Sequence, residues 1–191
     1  MAGNRTHSSP ARTYRSATTP RKGETSFQVV VGESDLWITA CQDETRLVQE
    51  RLRGLRGGLQ AYMGLHPAFG PSLAPLAPAR GAPPLVQEMC AAGKSWNVGP
   101  MAAVAGSIAE AAARAVQERS SEAIVENGGD IFLCSTRERI VGLLPDPDSK
   151  ASLGIRLEPR CFPLAVCSSS ATIGHSLSLG KGDLVVAISP N

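Results

Sequence analysis

The chain has 191 residues, of which 42% are hydrophobic and only 4% aromatic, so it can bury one core made mainly of aliphatic and small side chains. Its net charge is +2, but the first 25 residues carry a net +4, which leaves −2 on the remainder. A slightly acidic body excludes broad nucleic-acid binding, because such binding needs a basic face that displaces counterions.

The basic residues 1–25, rich in Ser, Thr and Pro, predict a disordered arm ahead of a single domain over residues 26–191. No apolar run follows the arginines of this arm, and a bilayer-crossing helix needs about 20 apolar residues. We therefore expect a cytoplasmic protein without membrane contact. Five cysteines with no CxxC pair are expected to be reduced thiols.

The body is predicted to begin with a hairpin and a long helix. Residues 27–31 and 36–40 are apolar runs separated by a polar turn, which indicates two antiparallel strands. Over residues 47–63 apolar side chains recur every three or four positions, which indicates an amphipathic helix. Asp43 or Thr45 is available as its N-cap.

A proline-rich connection follows, and then two more helices. Six prolines over residues 66–84 exclude a regular helix or a central strand there. A short helix is predicted over residues 85–92. A second, rich in alanine, is predicted to run from Pro100 to about residue 119. Gly106 within it suggests that a neighbouring strand or a flat ligand packs close to the helix.

The second half of the chain is predicted to be mostly strand. Apolar runs bounded by turn residues cover residues 123–125, 131–133, 139–144, 153–157, 163–167 and 184–188. Helices and hairpins come in runs and not in strict alternation. The pattern predicts an α+β fold, a single domain with mixed or antiparallel sheets and packed helices.

The segment Glu126-Asn127-Gly128-Gly129-Asp130 is the most informative in the chain. Its glycines supply positive φ for a tight turn between two strands. A simple hairpin does not require a carboxylate on each side of the turn. We therefore expect Glu126 and Asp130 to converge beside backbone N–H groups and to bind a metal, a ribose or the polar edge of a cofactor. A solvated hairpin tip is the alternative.

Two further glycine-containing segments lie at element boundaries, where sites are usually built. Asn97, Gly99 and Met101 mark a helix start whose free N–H groups suit a phosphate. Residues 167–183 contain six hydroxyls and three glycines, a set suited to cradling an anion or a cofactor. The candidate ligands in this segment are Ser168, Ser169, Thr172 and His175.

A serine or cysteine hydrolase is disfavoured. Residues 174–178 fail the G-x-S-x-G pattern at its last position. No catalytic residue is assigned.

Five segments of the chain resemble, in the same order, a short branch of the ApbE-like superfamily, relatives of the FAD:protein FMN transferases. These segments are "FQVVVGESDLWI", "HPAFGPSLAPL", "WNVGPMAAVAGSIAE", "ENGGDIFL" and "CSSSATIGHSLSLGKGD". The resemblance covers roughly residues 26–190 and implies a single ApbE-like domain. It implies a site for FAD or FMN and a Mg²⁺ ion held by Asp130, with transfer of FMN to a protein hydroxyl as the activity. The implied cofactor residues are Asn97, Gly99, Met101, Glu126, Asn127, Gly128, Gly129, Asp130, Ser168, Ser169, Thr172 and His175.

The chain also departs from the transferase pattern. The lysine expected in the helix motif is missing near Ala103 and Val104, and the second metal-ligand segment would follow Asn191. We therefore expect a domain that lacks its C-terminal segment, or a branch without transferase chemistry.

Two functions follow as hypotheses. The first is a binder of flavin or a related nucleotide cofactor, with FMN transfer as its enzymatic version. The alternative is a non-catalytic interaction module, in which the glycines only turn a hairpin and the alanine-rich helix packs a homo-oligomer.

Overall fold

A computed structural model describes residues 12, 14–15, 18–143, 153–170, 180–182 and 184–190. These residues form one α+β domain in which a six-stranded sheet carries helices on one face and a two-stranded hairpin on the other. Every strand pair in the described residues is antiparallel. The predicted α+β class is confirmed, and the sheets are of the antiparallel kind.

The described residues form eight strands, each with ends within two residues of the prediction. They are β1 (Thr25–Val31), β2 (Ser34–Ala40), β3 (Ala123–Asn127), β4 (Asp130–Cys134), β5 (Arg139–Leu143), β6 (Leu153–Leu157), β7 (Leu164–Ser169) and β8 (Val185–Pro190). The large sheet has the order β1-β2-β3-β4-β7-β8, and β5 pairs with β6. Among the described strands, β1 and β8 are therefore the edges of the large sheet.

The part of the chain that the structure describes contains three α-helices: α1 (Thr45–Leu65), α2 (Pro84–Trp96) and α3 (Val104–Gln117). The helix predicted to begin at Pro100 begins instead with a 3₁₀ turn, Pro100–Ala103, a form that is frequent at helix N-termini. The N-cap of α1 is Glu44, although Asp43 does accept the Thr45 N–H at 2.8 Å. No helix in the described residues is long and apolar enough to cross a membrane.

Successive side chains along each strand point to opposite faces of the sheet, so neighbouring residues pack in two separate cores. Val125 and Phe132 point toward the helices and pack in the larger core with side chains of α1, α2 and α3. Leu133 and Val166 point the opposite way and pack against the β5–β6 hairpin. We call these the helix face and the hairpin face of the sheet.

Part of the N-terminal arm lies on the hairpin face. Arg12, Tyr14 and Arg15 contact side chains of β2 and β3, and Arg15 is buried. These contacts run against the disorder predicted for residues 1–25 at these three positions. The domain boundary at residue 26 stays a prediction.

No two cysteines form a disulfide in the structure, and their reduced state stays a prediction. All five cysteines are free, with Cys90 and Cys134 buried, and Cys41 and Cys161 exposed.

Candidate functional site

The turn between β3 and β4 has two residues, Gly128 and Gly129. Asn127 pairs with Asp130 across it, and the glycines adopt φ of +66° and +101°. Positive φ at both central positions is typical of a type I′ hairpin, which glycine satisfies without strain. The predicted role of these glycines as the turn is confirmed.

The expectation that Glu126 and Asp130 converge is wrong. In the hairpin register Glu126 pairs with Ile131 and Asn127 pairs with Asp130. The Glu126 and Asp130 carboxylates therefore lie on opposite faces of the sheet. Glu126 points to the hairpin face, where Trp37 is its partner on β2, and Asp130 points to the helix face beside Gly106. The two carboxylates are separated because successive side chains along a strand alternate between the two faces of the sheet.

Asp130 lies at a corner where three distant segments meet. The Cys167 thiol and the backbone N–H groups of Ser168 and Gly106 lie near its carboxylate and act to lower its pKa. Beside it, Asn127 Nδ2 donates to the carbonyl oxygen of Ala105 at 3.0 Å. We call Gly106, Asn127, Asp130 and Cys167 the Asp130 corner.

Burial controls the electrostatics of this corner. It raises the pKa of Asp130, and the hydrogen bonds from Cys167 and from the two backbone N–H groups oppose it. Burial and the nearby charge of Asp130 raise the pKa of Cys167 to about 12. The Cys167 thiol therefore stays protonated and acts as a donor, which argues against a role as nucleophile because the thiolate is the reactive form.

Gly106 is the third residue of α3 and faces the corner. A methyl group at this position would lie 3.8 Å from Asp130 Oδ2 and 3.9 Å from Cys167 Sγ, at ordinary contact distance. The close neighbours expected from the sequence are thus side chains of β4 and β7.

Gly106→Ala should fit without displacing either strand. We expect this change to raise the free energy of unfolding by up to about 1 kcal/mol, because alanine loses less backbone entropy in a helix. Urea unfolding monitored by circular dichroism measures the difference. A loss of stability would show that the methyl group does not fit against Asp130 and Cys167.

Ser168 holds the turn from the other side. Its hydroxyl donates to the carbonyl oxygen of Gly129 at 2.9 Å, and a Cβ atom on Gly129 would lie only 2.7 Å from Ser168 Oγ. Ser169 is exposed, and strand alternation places it on the helix face with Cys167. The predicted ligands Thr172 and His175 lie outside the described residues.

The residues predicted to bind phosphate at the helix start have structural roles. Asn97 is the left-handed C-cap of α2, with its N–H on the carbonyl oxygen of Gly93. Gly99 packs against Ser72, and Met101 packs against the larger core. The first turn of α3 already receives a negative charge from Asp130, which suits the positive end of the helix dipole.

The Asp130 corner does not fit the predicted Mg²⁺ ion. Magnesium takes an octahedral shell of oxygen ligands, whereas the groups near the Asp130 carboxylate are N–H and S–H donors, which cannot act as such ligands. Glu126, the nearest acidic residue in sequence, lies on the other face. Within the described residues no three His, Cys, Asp or Glu side chains gather as a metal site.

Glu126 is occupied by neighbours that the sequence did not indicate. Its Oε1 accepts the Gly129 N–H at 3.0 Å and the Tyr14 hydroxyl at 2.9 Å, and its Oε2 accepts Arg15 Nε at 2.7 Å. Arg15 also bonds Asp35 Oδ1 at 2.7 Å. Glu126 is therefore a structural residue on the hairpin face. Only the excess of arginine in the arm hinted at these partners.

A groove of about 360 Å³ lies between the three helices, away from the corner. Leu55, Leu85 and Ala111 are among the apolar residues that line it, together with charged residues such as Glu88 and Arg114. None of the predicted ligand residues that the structure describes lines this groove.

Comparisons with known proteins give a consistent family. A family model described as AbpE bacteria matches residues 16–191. A UPF0280 protein of Methanothrix thermoacetophila is 36% identical over 154 residues, which are 80% of this chain and 65% of the relative. A UPF0280 protein of Methanocella arvoryzae is 40% identical over 136 residues, 71% of this chain and 56% of the relative. One from Methanopyrus kandleri is 39% identical over 163 residues, 84% and 65% of the two chains.

These matches overturn the predicted membership of the ApbE-like superfamily. The similarity is to the AbpE bacteria model and to UPF0280 proteins, and their names state no flavin, no cofactor and no reaction. FMN transfer loses its support with that correction. The chain spans 56 to 65% of the length of these three relatives.

Proposed function

We propose that this chain, which belongs to the family described as AbpE bacteria, binds a nucleotide cofactor at the Asp130 corner, with FAD and FMN as the first candidates. One observation carries the proposal. Residues 105–106, 127–130 and 167–168 are far apart in sequence, yet they surround one partly buried carboxylate. Polar groups that converge from several elements onto a perturbed acid are a feature of binding sites.

The corner offers hydrogen bonds of the kind that a ribose or a flavin edge requires. The Asp130 carboxylate can accept from a ribose hydroxyl or a ring N–H. The side-chain oxygen of Asn127 is an acceptor too, because the amide nitrogen is already used on Ala105. Ser169 on the same face supplies an exposed hydroxyl.

The sheet beside the corner offers an apolar surface. Ala187 pairs with Cys167 and Val185 pairs with Ser169, so all four residues share the helix face. Val185 is 62% exposed. A planar ring lying on this surface would bury the apolar side chain, while its polar edge met Asp130.

Asp130→Asn is the variant that tests the proposal. The wild-type protein should gain about 2.7 kcal/mol of stability from a ligand at 100 times its Kd. We expect Asp130→Asn to keep the fold and to lose most of this gain, because the amide replaces one acceptor oxygen with a donor. Thermal unfolding with and without FAD, FMN and ADP measures it.

The matched control is Glu118→Gln, which removes one charge from an exposed position after α3. It should respond to ligand as the wild type does. Absence of a shift for the wild-type protein with any of these nucleotides would remove the proposal. An equal ligand-induced gain in stability for wild type and Asp130→Asn would show that the binding site lies elsewhere.

A second candidate function is a non-catalytic interaction module that forms a homo-oligomer. Strand β8 favours it, because this edge strand has no charged residue and exposes Val185 and Ile188. Edges without charges are open to pairing with another strand. Light scattering of the purified protein separates the two candidates: a monomer that shifts with nucleotide supports the first, and an oligomer indifferent to nucleotide supports the second.

A further inference from the structure

We infer that Tyr14 and Arg15 are positioning residues that hold the Asp130 corner in shape through Glu126. With Arg12 they form a strap across the hairpin face of the turn, on the side opposite the corner. The inference deepens the proposed function and rests on it for its effect on ligand binding. Its effect on the turn itself is independent of any ligand.

Ion pairs with Asp35 on β2 and Glu126 on β3 hold the strap in place. Arg15 is 6% exposed, and its guanidinium lies 2.7 Å from Asp35 Oδ1 and 2.6 Å from Glu126 Oε2. Arg12 Nη1 donates to the Asp35 carbonyl oxygen at 2.8 Å. Buried charge pairs of this geometry cost much to break, because removal of one partner leaves the other unpaired.

Glu126 links the strap to the turn. The same oxygen that accepts the Tyr14 hydroxyl, Oε1, also accepts the Gly129 N–H at 3.0 Å. Burial and the charge of Glu126 raise the pKa of Tyr14 to about 12, so the phenol stays a donor. Gly129 is thus held through its N–H by Glu126 and through its carbonyl oxygen by Ser168.

Asp130 directly follows Gly129, which these two hydrogen bonds hold. If the strap leaves, Glu126 loses its cations and the side chains that cover its carboxylate, which then gains by turning to water. The Gly129 N–H is then released, and Gly129, which precedes Asp130, keeps only the Ser168 bond to its carbonyl oxygen. Strap docking and ligand binding at the corner are therefore coupled, and the coupling is reciprocal.

The first measurement needs no ligand. Hydrogen exchange at the Gly129 amide, followed by NMR, should become about tenfold faster in Arg15→Ala and Glu126→Gln. Tyr14→Phe removes one hydroxyl only and should give a smaller increase with the fold intact. Arg15→Lys should partly restore protection. The control is Arg21→Ala, which removes the same charge from an exposed side chain nearby in the same segment.

The second measurement tests the coupling. Arg15→Ala should raise the Kd for FMN or FAD about tenfold, and saturating ligand should slow trypsin cleavage after Arg15 in the wild-type protein. Unchanged Gly129 exchange in Arg15→Ala, Glu126→Gln and Tyr14→Phe overturns the inference. Faster exchange with unchanged Kd overturns the coupling.

The two proposals fail in different ways. If the wild-type protein binds none of FMN, FAD and ADP, the proposed function falls. Gly129 exchange then still decides the strap: faster exchange in the three variants supports its positioning of the turn, and unchanged exchange rejects it.

Discussion

Glu122→Gln is expected to lower the free energy of unfolding by about 3 kcal/mol at neutral pH, because it breaks a buried charge network. Glu122 is fully buried and bonds Ser135, Thr136 and Arg139. Arg139 in turn bonds Glu24, just ahead of β1, at 2.6 Å. The network ties β3 to the β5–β6 hairpin, so its loss weakens the second core.

The effect of this change should depend on pH. Burial by itself raises the pKa of Glu122, but hydrogen bonds from Ser135, Thr136 and Arg139 outweigh it and hold the pKa at about 2, against 4.5 when unperturbed. A lowered folded-state pKa stabilises the protein fully above the unfolded value, and this contribution disappears as pH falls through the folded value. The difference between wild type and Glu122→Gln should therefore shrink between pH 4.5 and 2.

Urea unfolding at pH 7, 4 and 3 measures both parts of this prediction. Glu118→Gln serves as the control, since it makes the same chemical change at an exposed position, and surface changes usually stay within about 0.5 kcal/mol. A Glu122→Gln deficit of the same size at pH 3 and pH 7 would show that the charge of Glu122 is not what stabilises the network.

Gly99→Ala is expected to destabilise the protein by about 3 kcal/mol or to displace the proline-rich connection. A Cβ atom at Gly99 would lie 1.8 Å from the carbonyl oxygen of Ser72 and 3.0 Å from the Cα atom of Leu73. Both are backbone atoms, so no side-chain rotation relieves the overlap. The backbone of Gly99 has an ordinary extended conformation, so the cost is purely steric.

The matched control is Gly54→Ala in α1, where nothing lies within 4 Å of an added Cβ atom. That change should stabilise the protein by about 1 kcal/mol, the helix preference of alanine over glycine. Thermal and urea unfolding of both variants give the comparison. Equal stability of Gly99→Ala and wild type would mean that Gly99 is not packed against Ser72, and its predicted role in cofactor binding would regain force.

The local elements of this fold were predictable from the sequence because short-range physics sets them. The apolar runs that became β1 to β8 alternate or cluster over five to seven residues, and the two glycines between β3 and β4 are the residues that a type I′ turn requires. The α3 start was misplaced by four residues, because a proline permits either a 3₁₀ or an α-helical first turn.

The site was predictable only in part. The sequence identified Asn127, Asp130 and the neighbourhood of Ser168, which do meet. It also grouped Glu126 with Asp130, although a count of the strand register across the two-residue turn would have separated them. Asn97 and Gly99 were selected as a helix start, but their conformation and packing belong to the end of α2 and to the proline-rich connection.

The sequence by itself determined the α+β class, the strands and the turn, since period, turn chemistry and proline positions act over a few residues. The tertiary structure decided which polar groups meet. Glu126 pairs with Arg15, 111 positions away in the sequence, and Glu122 pairs with Arg139, 17 positions away. Such pairs depend on which face of the sheet each side chain lies on. Long-range contacts of this kind leave no periodic signal in the chain, because a side chain's partner is set by the packing of whole elements.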